Sequence, residues 1–569
     1  MNLTPKELNK LGDQAFYGQD QDKNIELAFT YYKQAADMNN PVGLYNLGKY
    51  YFTKENYKKA YQYFKKSMDL EYSESYLKLY QMYIEGIGIR RSKKKAYKII
   101  LEASEHYIIQ SYHILGQMYE EGIGTRQNTK LAHKFYELSA SKNQAIGMYY
   151  FGLFLLKQKN KNQEYEQGFY WLDKAASMHY KPAILEMIEL YQLPHTFVNK
   201  RSNLYLEEMV FHYKELLAKT KDIDALREVA KSYEEGKTYL SKNHQKSFDY
   251  YRILHELDDI EGYFGLGKAY LYGLGVEKDY DKAKDYLEIA SSRNYHEAKT
   301  MLGDIYRHGY GVQADYHKAK EYYLGAAEND QIDALINLSL LHYRGQINHA
   351  NVNQAFVYIT RACEQDNAKA FFWLGLYHEL GIGTEIDKEE SMNAYKRAIQ
   401  LGNNAARYKL SSLMYKELKK KGLSKRKQEQ AFEEIKTLLM TYIEAVDSDN
   451  RLKAMYMLGE LYLEEKYSRY SPKISRYYFE LASENGYAKA MNRLYDIYLD
   501  EDLETAISWL KKASDTELDG EALYKLSLLY EEGQGSIPKD YAKSQKLLAK
   551  SAKLNYAKAI EKITFEGDK

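Results

Sequence analysis

"EAKTMLGDIYRHGYGVQADYHKAKEYYLGAA", residues 297 to 327, repeats in outline the segment "GYFGLGKAYLYGLGVEKDYDKAKDYLEIA" at 262 to 290, with Gly303 standing 36 residues after Gly267. Each has an amphipathic run, a Gly-x-Gly turn, a polar loop and a second amphipathic run closing on small residues. "EGIGTRQNTKLAHKFYELSA" at 121 to 140 has the same grammar. A fixed period of this length marks a stacked repeat array, and the rest of the chain falls into its register.

One column fixes that register. Gly12, Gly48, Gly116, Gly152, Gly267, Gly303, Gly375 and Gly459 each sit in a helical pattern, usually after Leu, and most spacings are 36 or a multiple of it. Ala230, Ser339, Ser411 and Ser527 fill the column elsewhere, while Tyr80, Ile188 and Tyr495 break it. Glycine inside a helix costs roughly 1 kcal/mol relative to alanine, so its return at one phase predicts a close helix-helix approach that a larger side chain would block. Three residues on, Tyr51, Tyr83, Tyr119, Tyr306 and Tyr462 belong to a second column on the same face, where a ring fills the gap and its hydroxyl reaches a polar edge. A third column, including Ala28, Ala60, Ala96, Ala132, Ala283, Ala319 and Ala355, marks the second helix of each unit. With second-helix rings such as those of "FTYYKQAA" and "SRYYFELAS", these columns account for 61 Tyr against 18 Phe.

No unit this small buries its own apolar face, so neighbours must stack. The expected fold is all-α, an α-solenoid of about fifteen helix-turn-helix repeats, followed by a stretch, "AKAIEKITFEGDK", that resembles the start of another first helix. The spacing lengthens to 42 around residues 190 to 208 and to 48 around 416 to 430, where a bend is expected. It falls to 32 from Gly48 to Tyr80 and from Tyr495 to Ser527, where the inter-helix loop contracts. The expected divisions are repeats at 1–180, irregular repeats with a bend at 181–259, regular repeats at 260–410, and irregular repeats with a capping helix at 411–569.

Composition narrows the function. At 569 residues and 45% hydrophobic content the chain is too long for one compact core, yet six prolines and no Gly/Ser-rich stretch mark no linker. Charged residues make up 28% and nearly cancel at net +1, which argues against nucleic acid or an anionic membrane as the partner. The opening "MNLTPKELNKLGDQAFYGQD" lacks the apolar run of a signal peptide, and no apolar stretch of about 18 residues follows. A soluble protein of the cytoplasm, or of an organelle's interior, is expected. A lone cysteine, Cys363, excludes an intramolecular disulfide framework and reads as a small core residue.

An Ala-x-x-x-Leu-Gly-x-x-Tyr first helix, a Gly-x-Gly-(Val/Thr) turn and a second helix with Lys-Ala and terminal Ala-Ala resemble the Sel-one-like repeat, a longer-looped relative of the tetratricopeptide repeat. The resemblance runs through essentially the whole chain and is weakest at 181 to 222, 404 to 450 and 487 to 518. It implies a right-handed superhelix with first helices lining the concave face, and a role as an adaptor that binds other proteins.

The recurring turns, Gly86/Gly88, Gly122/Gly124, Gly273/Gly275, Gly309/Gly311, Gly381/Gly383 and Gly533/Gly535, read as left-handed C-caps rather than phosphate loops, which need a strand before and a helix N-terminus after. β-Lactam binding is linked to some members of the repeat family, and Ser92-x-x-Lys95, Ser424-x-x-Lys427 and "SDN" at 448 to 450 match parts of a serine-enzyme set. Lys-Thr-Gly is missing and the matches fall in basic, loop-like runs. His342 and His378, 36 apart in the tyrosine column, read as packed imidazoles rather than metal ligands. The basic run from Lys419 to Lys427 reads as a solvated loop. No catalytic residue, metal or cofactor is expected.

Partner binding remains. If Gly48, Gly116, Gly267, Gly303, Gly375 and Gly459 face the neighbouring helix, residues three before and one after that column point to the concave surface by helical phase. Tyr149, Leu153, Phe264, Ile336, Leu340, Phe372, Leu376 and Tyr456 stand there and form the candidate groove for a protein or peptide. The expected function is a non-catalytic interaction scaffold; the alternatives are a fixed subunit of a large assembly, or an enzyme with an unrecognised site.

Overall fold

The computed structural model describes residues 3–18, 23–158, 162–193, 202–420, 423–447, 449–464 and 469–567. These residues form 31 helices, from Pro5–Tyr17 to Ala557–Gly567, making fifteen helix-turn-helix pairs and one further helix. The only β-type pairing among them is an isolated antiparallel bridge between Lys237 and Leu240. The chain divides into two compact units, Met1–Tyr286 and Leu287–Lys569. Within each unit a second helix packs on the first helix of its own pair and on the first helix of the next.

Local chemistry sets the helix ends. Asn56, Asn128, Asp315 and Asp387 cap second helices, each side chain accepting a backbone N–H of the first turn. First helices such as Gln110–Glu121 and His296–His308 stop at a left-handed glycine, Gly122 and Gly309. The turn leading out of a second helix often passes through one left-handed residue; it is a short polar one at Asn143 (φ 56°) and Asp366 (φ 52°), where such a side chain tolerates that conformation, and glycine at Gly402 and Gly486.

The glycine column does what its phase requires, and its contact lies within the pair. A Cβ on Gly303 would sit 2.4 Å from the Tyr323 ring, one on Gly375 2.7 Å from Tyr395, and one on Gly459 2.5 Å from Phe479. Gly48 and Gly116 meet Phe64 and Tyr136 in the same way, and Gly267 is buried. At two positions where the column lacks glycine the residue 20 later is aliphatic rather than aromatic, Ile100 after Tyr80 and Ile359 after Ser339.

The alanine column, fully buried at Ala28, Ala60, Ala96, Ala132, Ala283, Ala319 and Ala355, completes this approach. Serine in the alanine column can donate across to the glycine-column carbonyl, as Ser391 does to Gly375 and Ser475 to Gly459, both at 2.8 Å. At Ser339, in the glycine column, the bond reverses, the hydroxyl donating to the Ala355 carbonyl at 2.7 Å.

Stacking of one pair on the next uses the second glycine of the turn. A Cβ on Gly124 would lie 2.1 Å from the Lys93 carbonyl, and one on Gly383 2.1 Å from that of Val352. In both cases the partner stands 31 residues earlier, at the start of the preceding pair's second helix. The turn is therefore a left-handed cap, with φ of 72° at Gly124, and also a contact surface between repeats.

The irregular spacings have a simple cause. Pairs at 181–219 and 404–445 carry second helices of 17 and 21 residues, Asn203–Lys219 and Lys425–Ala445, against 13 in Lys93–Glu105. The short repeats lose the turn instead, with only three residues between Thr53 and the start of Tyr57–Met68.

Candidate partner-binding face

The first-helix face was read from sequence as a row of apolar side chains. None of the eight residues proposed there is fully exposed. Ile336 and Leu340 are 1% and 6% exposed inside the core of their unit, so both leave the candidate surface; the helix Ile332–Tyr343 also buries Ala334, Leu335, Leu338 and Leu341, so its apolar face is wider than one stripe. The other six, Tyr149, Leu153, Phe264, Phe372, Leu376 and Tyr456, are half-buried.

What covers them is the next repeat. Tyr149 packs on Tyr180 with ring centroids 5.5 Å apart, and Tyr456 on Tyr487 at 5.5 Å. Tyr45 with Tyr72 and Tyr524 with Tyr556 repeat the arrangement. Tyr72, Tyr180 and Tyr487 are N-caps without a side-chain cap hydrogen bond, so a ring occupies the place where the second helices use Asn, Ser or Asp. Phe372 lies against Tyr395 at 6.0 Å. Burial pushes the Tyr456 phenol up to about 12, and it stays a neutral donor at any physiological pH.

Between these rings runs a polar device that sequence reading missed. Carboxylates one or four residues after the glycine column accept the hydroxyl of the second-helix tyrosine: Tyr32 to Asp13 at 2.8 Å, Tyr136 to Glu120 at 2.7 Å, Tyr323 to Asp304 at 2.6 Å and Tyr395 to Glu379 at 2.8 Å. The same carboxylates take a partner from the following repeat. Lys157 reaches Glu120 at 2.9 Å, Lys416 reaches Glu379 at 3.6 Å, and Tyr251 and Lys268 both bind Glu234. Arg493 to Glu460 at 2.7 Å and Lys525 to Asp496 at 2.6 Å continue the series. The signal was in the sequence as an acid just after the small column and a base about one repeat later.

Asp304 shows how such a carboxylate is held. It accepts from Tyr323 and, at 3.0 Å, from Asn337, whose own oxygen is held by Arg307 at 2.9 Å. Burial raises its pKa, which the Tyr323 hydrogen bond and the Arg307 charge oppose. His113 lies flat on Tyr150, with ring centroids 5.4 Å apart, and its Nδ1 has no hydrogen-bond partner. Burial pushes its pKa down to about 4.

The remaining chemical candidates resolve into packing and capping. Ser92 and Ser424 cap helices whose first turns are exposed, accepting from the Lys95 and Lys427 N–H groups at 3.3 and 3.4 Å. They do open helices, contrary to the loop-like reading, and those helices bury one face. Ser448 of the "SDN" match lies outside the described residues. His342 and His378 do not pack as a pair: both turn to the helix Val352–Cys363, His342 to Tyr358 at 5.7 Å and His378 to Phe356 at 5.4 Å. No group of metal-binding side chains occurs among the described residues. Cys363 is half-buried, and burial pushes its thiol up to about 12, far from the thiolate form. The basic run is not a loop, since Lys425, Arg426 and Lys427 form the first turn of a helix; they are exposed, and Lys421 lies outside the described residues.

The Sel1 repeat matches the chain at residues 8–40, 41–72, 74–106, 109–144, 145–180, 223–255, 260–295, 296–331, 332–367, 368–403, 452–487, 490–515 and 520–556, well over half its length. The chain belongs to the Sel1 repeat family. The two helix pairs left unmatched are those with the long second helices. No curated protein matches the sequence. Among solved structures, the Sel1 chain is similar to c5321, a protective antigen of uropathogenic Escherichia coli with an SLR fold, at 21% identity over 77% of this chain and 92% of that one, TM-score 0.42. It is also similar to a Sel1 repeat protein from Oxalobacter formigenes, at 24% identity over 44% and 100%, TM-score 0.37, and to yeast Tom70, at 13% identity over 92% and 98%, TM-score 0.29. No helix among the described residues is long and apolar enough to cross a membrane.

Proposed function

We propose that the protein is an interaction scaffold that holds a partner protein or peptide on the first-helix face of its repeats. One observation carries this reading: beside the glycine column, Tyr149, Leu153, Phe372, Leu376 and Tyr456 stay only half covered, while the first-helix carboxylates Glu120 and Glu460 are drawn into bonds between repeats. Apolar tips at helical spacing beside satisfied polar groups suit the apolar side of an incoming helix or strand. Membership of the Sel1 repeat family supports a role in protein binding.

The test is affinity purification from the native cell with wild-type protein and with Leu153→Ser/Leu376→Ser. Both leucines are only half-buried, so the fold is expected to survive, checked by far-ultraviolet circular dichroism. The variant should lose co-purifying proteins that the wild type retains. An unchanged partner set from a folded variant would refute the assignment of this face.

A further inference from the structure

Positive charge that cancels over the whole chain does not cancel locally. Segments 57–66, 90–98 and 126–134 together hold thirteen Lys and Arg and no Asp or Glu, in a protein whose 81 basic and 80 acidic residues balance overall. All thirteen are exposed. Among the described residues only Lys65 has a carboxylate within ion-pair distance, Asp69 at 2.6 Å.

The fold brings the three segments to one edge. They begin, or lead into, the second helices of three successive pairs, Tyr57–Met68, Lys93–Glu105 and Thr129–Ser141. Gly88 lies against Tyr57, which brings the turn bearing Arg90 and Arg91 to the start of the first of these helices; Gly124 lies against Lys93, which brings Arg126 to the start of the second. None of the three helices has an acid in its first turn, although the positive end of a helix disfavours cations there. Lys93, Lys94 and Lys95 form the whole first turn of theirs. Clustered like charge of this kind is relieved by an anion.

We propose that this edge docks an extended acidic segment of a partner protein, its Asp and Glu side chains meeting the cations as the segment crosses the three helix starts. The neighbouring chemistry favours a polypeptide over the other polyanions. Single-stranded nucleic acid is held by exposed aromatic platforms as well as cations, and here Tyr61 and Tyr97 are half-buried with their hydroxyls bonded to Tyr83 and Tyr119. A membrane surface is held by exposed apolar anchors beside the cations, and no large apolar side chain in the three segments is exposed. Cations alone, mostly flexible lysines, suit a chain of carboxylates without fixed shape.

The experiment uses the full chain and a fluorescent oligo-glutamate peptide, followed by anisotropy at low and at physiological salt. Lys93→Glu/Lys94→Glu/Lys95→Glu should weaken binding by about tenfold or more, and wild-type binding should fall as salt screens the edge. The reversal places acids where a helix start favours them, so the melting temperature should hold or rise. A matched control, Lys425→Glu/Arg426→Glu/Lys427→Glu, changes net charge equally on another exposed helix start and should leave affinity within about twofold. Equal losses in both variants, or none in the first, would overturn the proposal. So would tighter binding, in parallel titrations, to a single-stranded oligonucleotide or to phosphatidylserine vesicles.

Discussion

Gly303 and Tyr323 show how a single position can be understood only with the one it faces. The ring lies where a Cβ would be, and its hydroxyl reaches around to Asp304. Gly303→Ala should cost about 2 kcal/mol by overfilling this contact. Adding Tyr323→Leu should recover part of that loss, giving a coupling of about 1 kcal/mol or more in a double-mutant cycle; strictly additive losses would show that the two do not touch. His113 supplies a test by pH. Its folded pKa lies below the unfolded one, so the unfolded chain takes up the proton first, and the stability this group contributes is full above about 6.5 and drains as pH falls toward about 4. His113→Phe keeps a ring on Tyr150 and removes the titration. Urea denaturation at pH 7 and pH 5 should find the acid-induced loss about 2 kcal/mol smaller in the variant.

At the scale of helices, each repeat is tied to the next by contacts of two kinds: backbone of one turn on the preceding second helix, and carboxylates that bind inward and onward at once. Glu120 accepts from Tyr136 within its pair and from Lys157 in the next. Glu120→Ala strands the buried Tyr136 hydroxyl and should cost about 2 kcal/mol; Glu120→Gln keeps an acceptor and should cost about 1. Lys157→Ala, at an exposed partner, should cost less than about 1. Thermal or chemical denaturation of the three variants checks the order, and a Lys157 effect as large as that of Glu120→Ala would contradict it. Periodicity made the small columns, the turns and the pair count legible, because each is a property of one position repeated. The carboxylate links were not, because they join an acid in one repeat to a base about a repeat later with offsets that vary from 29 residues for Asp496 and Lys525 to 37 for Glu120 and Lys157. Burial of Ile336 and Leu340 escaped for a related reason: helical phase gives direction within a helix, whereas coverage is decided by what the neighbouring repeats bring.

Across the molecule, fifteen pairs and one further helix account for the described chain, thirteen of them matched by the Sel1 repeat and two recognisable only from their helices. What the repeat buries is glycine against ring and small residue against small residue; what it leaves half covered, within each unit, are apolar side chains on first helices, and what it leaves exposed is the basic edge of the first unit. The first-helix row is the surface on which the proposed scaffold function rests. Its most direct test places a photo-cross-linking benzoylphenylalanine at Leu153 or Leu376 on that face, and at Val357 on an exposed second-helix face as the comparison, and irradiates the protein in its native cell. Covalent partner adducts from Leu153 and Leu376 but not from Val357 are the predicted result. Adducts from Val357 alone would contradict it.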